Sequence, residues 1–257
     1  MRATLTLQVI RHQCIADGIY ELTLDGRGLI DSVDPGQFLH ILVGSGDVHV
    51  LRRPISIAEF DRGILRIVFR VVGAGTRWLS KQYEGALLDV LGPQGRGFPL
   101  PSSVSRGLIV GGGIGVPPLL ELAKRLAHRG VELDVILGFP AKAHAFYSDE
   151  FASFGTVHMV TEDGSLGTQG IVTDVVRNLH AEHSLSWSHF FACGPHGMLA
   201  GLQTYFRDQD IDGYLSLEER MGCGLGACQG CVCETKGLLN RRVCTDGPVF
   251  NWREVVL

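Results

Sequence analysis

The sequence predicts three parts in order: an N-terminal antiparallel β-barrel over residues 1–102, an α/β doubly wound parallel sheet over 103–212, and a small cysteine-rich C-terminal segment over 213–257. Three observations predict them. Short period-two runs separated by turn residues fill the first third. At Arg106 the pattern changes to continuous apolar runs alternating with helical stretches. Four cysteines then stand close together as Cys223-x4-Cys228-x2-Cys231-x12-Cys244. A chain of 257 residues is long enough for two domains with separate cores.

In the first part, Ile19–Leu24 alternates apolar and polar residues, as a half-buried strand does. Gln37–Val43 follows the turn signal Asp34-Pro35-Gly36, Ile64–Val72 is a long strand with alternating arginines, and Leu87–Leu91 ends at Gly92-Pro93. Strands at this spacing predict a closed barrel, with one helix over 76–82 near its mouth. Arg53-Pro54-Ile55-Ser56 starts a strand: its guanidinium can clamp a pyrophosphate in bidentate fashion, and the serine hydroxyl can reach a flavin ring. An ordinary edge strand carrying arginines is the competing reading. Gly73-Ala74-Gly75-Thr76 then opens the helix, whose bare N–H groups favour phosphate. Two phosphate-competent elements in one barrel point to a dinucleotide such as FAD.

The second part opens with the buried strand Gly107–Val110 and the loop Gly111-Gly112-Gly113-Ile114-Gly115-Val116-Pro117-Pro118. A helix follows, with Leu119, Leu120, Leu122, Ala123 and Leu126 at helical spacing and Gly130 as the stop. Strands over Leu133–Leu137, Thr156–Thr161 and His189–Cys193 and a helix over 171–179 complete the pattern. Gly113-x-Gly115-x-x-Pro118 departs from the Rossmann fingerprint, and no carboxylate follows the second strand to hold a ribose. The loop still places a bare turn at a strand's carboxyl end, where open sheets bind ligands. A second such turn is Cys193-Gly194-Pro195-His196-Gly197-Met198. Together they predict a nicotinamide nucleotide site at Gly113, Gly115, Cys193 and Gly194, with the choice between NAD and NADP open.

The first three cysteines of the last part have the spacing of plant-type ferredoxins, whose thiolates hold a [2Fe–2S] cluster. Glycines between them let the backbone wrap tightly, and backbone N–H groups in such a turn stabilise a cluster's negative charge. Zinc and disulfides are the competing readings. Structural zinc favours two separated Cys knuckles, and Cys231-x-Cys233 with a lone Cys244 makes a poor second one. Cys233 is an alternative ligand to Cys231, although the spacing favours Cys231.

The formal net charge of −4 gives no basic stripe for nucleic acid. No apolar run has the length of a membrane span. Seven cysteines without a recognisable export signal predict a reducing cytoplasm. Ten histidines are scattered with no His-x3-His pair; His12, His40, His49 and His128 read as surface or structural residues. Glu218-Glu219-Arg220 reads as a solvated charged turn, with a partner contact as the other reading.

The Arg-x-x-Ser element, the G-x-G-x-x-P loop and the Cys-Gly-Pro-x-x-Met turn occur in this order from Arg53 to Met198, and so resemble the ferredoxin–NADP⁺ reductase superfamily. With the cysteine loop and Arg242-Val243-Cys244-Thr245-Asp246-Gly247-Pro248-Val249-Phe250, the whole chain resembles the electron-transfer subunits of type B dihydroorotate dehydrogenase. That resemblance implies FAD at Arg53 to Ser56, Arg70, Val71, Val72, Gly75 and Thr76. It implies a [2Fe–2S] cluster on Cys223, Cys228, Cys231 and Cys244, and a cysteine placed like Cys193 near the meeting of nicotinamide and flavin. It also implies docking on an FMN-containing catalytic subunit in a 2+2 heterotetramer, with electrons from dihydroorotate leaving through the cluster and FAD to NAD⁺ in pyrimidine biosynthesis. The alternative is a related flavin and iron–sulfur NAD(P)H reductase subunit serving ferredoxin or a hydrogenase. The chemistry is coherent: NAD⁺ accepts a two-electron unit, a cluster passes single electrons, and a flavin exchanges both. No side-chain acid or base is required, so no catalytic residue is expected.

Overall fold

The computed structural model of the chain describes residues 4–27, 33–44, 50–183, 186–237 and 239–257; His49 lies outside them. Strands β1 (Thr4–Ala16), β2 (Ile19–Asp25), β3 (Phe38–Ile41), β4 (Arg53–Asp61), β5 (Ile64–Arg70) and β6 (Leu87–Gln94) close an antiparallel barrel in the order β1-β2-β5-β4-β3-β6. Alternation decides what fills it: Leu22 and Leu24 of β2, Leu39 and Ile41 of β3, Leu65 and Ile67 of β5, and Leu88 and Val90 of β6 point inward and share one core. The β6 strand runs past its expected end, through Gly92-Pro93. Helix α1 (Ala74–Leu79) begins two residues before the expected start and caps one barrel mouth with Leu79.

The second sheet has the order β10-β9-β8-β7-β11-β12-β15. Its strands are β7 (Arg106–Gly112), β8 (Glu132–Phe139), β9 (Thr156–Thr161), β10 (Thr168–Gln169), β11 (His189–Cys193), β12 (Asp212–Ser216) and β15 (Val249–Asn251); β13 (Val232–Cys233) and β14 (Arg241–Arg242) form a separate two-stranded pair. All neighbours in the large sheet run parallel except β15, which pairs antiparallel with β12. The helices are α2 (Leu120–Ala127), α3 (Ser148–Ala152), α4 (Val172–His183) and α5 (His196–Phe206). Both faces of the sheet are covered, which explains its continuous apolar strands. Leu108, Val110, Ile136, Phe190 and Ala192 pack under α4 and α5. Ile109, Val135, Leu137 and Phe191 pack under α2 and α3, in the same core as Ile19, Ala58 and Val68 from the barrel's outer wall. The C-terminal segment therefore contributes two strands, β12 and β15, to the nucleotide-type sheet.

A polar strut crosses from barrel to sheet. The Tyr147 hydroxyl donates to the Glu21 carboxylate, and both residues are buried. Arg66 pairs with Glu21 at 3.4 Å and with Glu59 at 2.9 Å, and its guanidinium lies 5.2 Å from the Tyr147 ring centroid. Lys124 of α2 reaches Glu59 at 2.9 Å. Burial pushes the Tyr147 phenol well above its ordinary pKa, so it remains a donor. Tyr147→Phe leaves the Glu21 carboxylate one donor short, and the expected loss is about 1–3 kcal/mol. Denaturant unfolding of the holoprotein checks this; an unmoved midpoint would show that the strut does not hold the two parts together.

Candidate functional site

On the barrel, Arg53 opens β4 opposite Ile41, followed by Pro54 opposite His40 and Ser56 opposite Phe38. Ile55 points into the barrel core. The Arg53 guanidinium lies over the start of α1: a Cβ added at Gly75 would stand 2.6 Å from Arg53 Nε. A side chain at this position would displace the guanidinium from its present place. The Thr76 hydroxyl accepts hydrogen bonds from the backbone N–H of Val72 (3.0 Å) and Gly73 (3.2 Å), which fixes the turn after β5. Arg70 and Val72 of that turn are exposed. Two guanidinium groups, a glycine cradle and an open apolar valine make a donor set that fits a pyrophosphate and a ring, as FAD requires.

The sheet order reverses between β7 and β11, and the two glycine turns meet at that switch point, where open α/β sheets bind nucleotides. Gly113–Gly115 follows β7 as one tight turn, with Gly113 at φ +52°. Gly194 follows β11. The turns touch backbone to backbone: a Cβ at Gly115 would stand 2.4 Å from the Cys193 carbonyl oxygen and 2.5 Å from the Gly194 nitrogen. A cleft of about 680 Å³ opens beside them. Its walls come from all three parts of the chain, including Arg70, Gly113, Gly115, Gly194, Glu218 and Cys233. Gly115→Ala must force the two turns apart. We expect reduction by nicotinamide nucleotide to fall by about 100-fold, read by stopped-flow kinetics, with flavin content unchanged because the barrel is untouched. Near-normal kinetics would place the nucleotide elsewhere.

Cys193 is buried at the base of this site, its thiol pushed up to about 12 by burial and by the nearby Glu218 carboxylate, with Ser216 opposing. It remains a neutral thiol at neutral pH. Glu218 is open to solvent at its edge, yet crowding raises its carboxyl pKa while Arg70 opposes the shift. Glu218 and Glu219 are exposed, as expected of a charged turn, and they also line the cleft. Sequence reasoning sought a ribose carboxylate after the second strand of the sheet. The cleft instead presents Glu162, directly after the third strand, β9; the signal was the Glu162-Asp163-Gly164 turn.

The cysteine loop curls through left-handed turns at Gly224 (φ +67°) and Gly226 (φ +80°). Its backbone N–H groups point at sulfur: Leu225 and Cys228 donate to Cys223 Sγ at 3.3 and 3.4 Å, and Gly230 donates to Cys228 Sγ at 3.5 Å. These donors, that of Cys228 foremost, pull the Cys223 thiol down to about 6. Cys223 lies close enough to Cys228, and Cys231 to Cys244, for the thiols of each pair to influence one another. Burial first, then Cys231, pushes Cys244 up to about 11. Among the described residues no three His, Cys, Asp or Glu side chains are gathered as a cage for a single ion, and all seven cysteines are free. Two thiol pairs with backbone donors fit a two-iron cluster, which takes two thiolates per iron. Arg242 clamps the arrangement, bonding Asp246 at 3.0 Å and the Gly226 carbonyl at 3.0 Å. Cys233, the alternative ligand, lines the cleft and shares a core with Cys231 and Cys244.

His40, read from the sequence as a surface or structural histidine, is fully buried. Neither ring nitrogen makes a hydrogen bond of good geometry among the described residues, and the Arg52 backbone lies within reach of the ring. Burial pulls its pKa down to about 4; the Arg52 backbone opposes this, and the charges of Arg52 and Arg53 reinforce it.

Comparison with known proteins gives the family. Residues 218–256 match the model of the iron–sulfur cluster binding domain of dihydroorotate dehydrogenase B, and residues 109–204 match that of the oxidoreductase NAD-binding domain. The dihydroorotate dehydrogenase B (NAD(+)) electron transfer subunit of Bacillus caldolyticus is 48% identical over 257 residues, covering 98% of each chain. The subunit of that name from Fusobacterium nucleatum is 47% identical over 241 residues, covering 92% of each. Among solved structures, one describing the NADH-dependent reduced ferredoxin-NADP oxidoreductase superposes with a TM-score of 0.88 at 28% identity, covering 100% of this chain and 91% of that one.

Proposed function

The chain belongs to the family of dihydroorotate dehydrogenase B electron transfer subunits, and from that premise we propose how its residues divide the work. It is an NAD-linked oxidoreductase subunit with FAD and an iron–sulfur cluster, and it serves a catalytic partner. We assign residues 1–102 to flavin binding, 103–212 to the nucleotide and 213–257 to the cluster, with β12 and β15 anchoring the last part in the sheet. The partner in this reading is an FMN-containing dihydroorotate dehydrogenase subunit, assembled two-plus-two in the cytoplasm. No described helix is long and apolar enough to cross a membrane. When bound, the [2Fe–2S] group supplies one-electron transfer and FAD converts single electrons to the two-electron unit that NAD⁺ accepts.

The chain's own residues bind, orient and shield. Arg53 holds the pyrophosphate over Gly75, and Ser56, Arg70, Val71, Val72 and Thr76 border the ring and its linker. Gly113, Gly115 and Gly194 let the nicotinamide nucleotide approach the sheet edge closely. Cys223, Cys228, Cys231 and Cys244 would hold the irons. Cys193 packs beneath the nucleotide as a neutral thiol. The observation that carries the reading is the shared cleft, whose walls include the flavin-side Arg70, the glycine turns and Cys233 of the cluster segment. Glu162, Glu218, Glu219 and Glu234 line it against the single arginine Arg70. This balance disfavours a 2′-phosphate and supports NAD over NADP. The other reading, a reductase subunit for ferredoxin or a hydrogenase, has less support, because the relatives with the higher identity carry the dihydroorotate dehydrogenase name.

The test is purification of the chain with its catalytic partner and assay of dihydroorotate-dependent NAD⁺ reduction. The complex should turn over, and the chain alone should oxidise NADH with artificial acceptors only. Protein prepared without oxygen that lacks iron, acid-labile sulfide and yellow chromophore would end this reading.

A further inference from the structure

The outer face of β3 joins two sites that the sequence keeps far apart. Leu39 and Ile41 point into the barrel, so Phe38 and His40 point out. On that outer face, His40 sits opposite Pro54 and Phe38 opposite Ser56, the residues of the flavin element. The same two side chains meet the cysteine segment. Phe38 packs in one core with Cys231, Val243 and Cys244. The His40 ring occupies the space a side chain at Gly224 would take: a Cβ there would stand 2.4 Å from His40 Nδ1. Gly224 is the residue next to Cys223. His40 is thus an imidazole with 0% exposure, with no side-chain hydrogen bond of good geometry at either nitrogen, only the Arg52 backbone in reach, and with Nδ1 turned toward the cysteine loop. Buried polar groups are nearly always hydrogen-bonded, and one that is not calls for an explanation, of which a redox role is one. Cys223 Sγ, on the residue before Gly224, accepts hydrogen bonds from the Leu225 and Cys228 N–H groups, and a sulfur can accept from more than one donor.

We infer that His40 is a positioning residue of the electron relay, its Nδ1–H donating a hydrogen bond to a sulfur of the [2Fe–2S] group at the Cys223 end and so raising that group's reduction potential. The inference rests on the reading above, in which the four cysteines hold that group. A donor to sulfur stabilises the more negative, reduced form and raises the potential. Placing the donor on β3, beside the flavin element, ties the cluster's energy and position to the barrel.

The experiment uses the holo-complex labelled with ¹⁵N only at histidine, with the cluster reduced, and pulsed electron paramagnetic resonance. One weak ¹⁵N coupling is expected in the unsubstituted protein and none in His40→Gln or His40→Leu. The cluster midpoint potential should shift negative in His40→Leu and return toward the original value in His40→Gln, whose amide can donate. No ¹⁵N coupling with the cluster intact, an unmoved cluster midpoint in His40→Leu, or a shift of the flavin midpoint in place of the cluster's would each overturn the inference. The coupling in the unsubstituted protein decides the matter even if His40→Leu fails to fold. Absence of iron and sulfide from the unsubstituted protein would overturn the reading beneath it instead.

Discussion

Cys228→Ser should lower dihydroorotate-dependent NAD⁺ reduction by about 100-fold or more, while NADH oxidation by an artificial acceptor stays within about twofold. Cys228 is one of the two thiols paired at the exposed end of the loop, and its own backbone N–H supports Cys223. Serine keeps that N–H and the loop's shape but offers a hard, protonated oxygen where a soft thiolate is needed. The glycine turns and Arg53 lie on other elements and are untouched, so exchange between nucleotide and flavin continues. Steady-state assays with each electron donor, alongside iron content, measure both halves. Equal loss of the two activities would refute separate roles for cluster and flavin.

Arg53→Ala should lose FAD. Removing a charged fork from its anion costs about 2–4 kcal/mol, roughly 30- to 1000-fold in affinity. The alanine also leaves an empty space above Gly75, where the guanidinium now packs. Arg53→Lys should fall between the two, because it keeps the charge and loses the planar fork. Flavin absorbance after gel filtration reads the occupancy. Full occupancy in Arg53→Ala would mean that the pyrophosphate is held elsewhere, while iron retained in the same sample would show that the rest of the chain is folded.

Much of this was readable from residue order. Period-two alternation gave the barrel strands because one face of each is buried and the other is not. The continuous apolar strands at Leu108–Val110 and Phe190–Ala192 reflect burial on both faces. Cysteine spacing and glycine turns are local, so the thiol loop and the switch-point turns were legible directly. What escaped depends on distant partners. Strand β15 is three residues long and exists only because β12 offers it an edge. His40 falls in an ordinary strand, and nothing near it in sequence announces that the cysteine segment will cover its outer side. Cys231 and Cys233 were distinguished by spacing alone; in the fold both share a core with Cys244, and Cys233 also lines the cleft.

The pairing of β12 with β15 has a mechanical consequence. The whole cysteine module is spliced between two adjacent strands of one sheet, held at both ends. Near its exit, the Leu217 N–H bonds the Pro248 carbonyl at 2.9 Å and the Arg96 N–H, at the rim of the barrel, bonds the Gly247 carbonyl at 2.6 Å. A module tethered this way is restrained at both its entry and its exit. Tethering of this kind suits a redox centre held at a fixed place in the fold rather than one that shuttles.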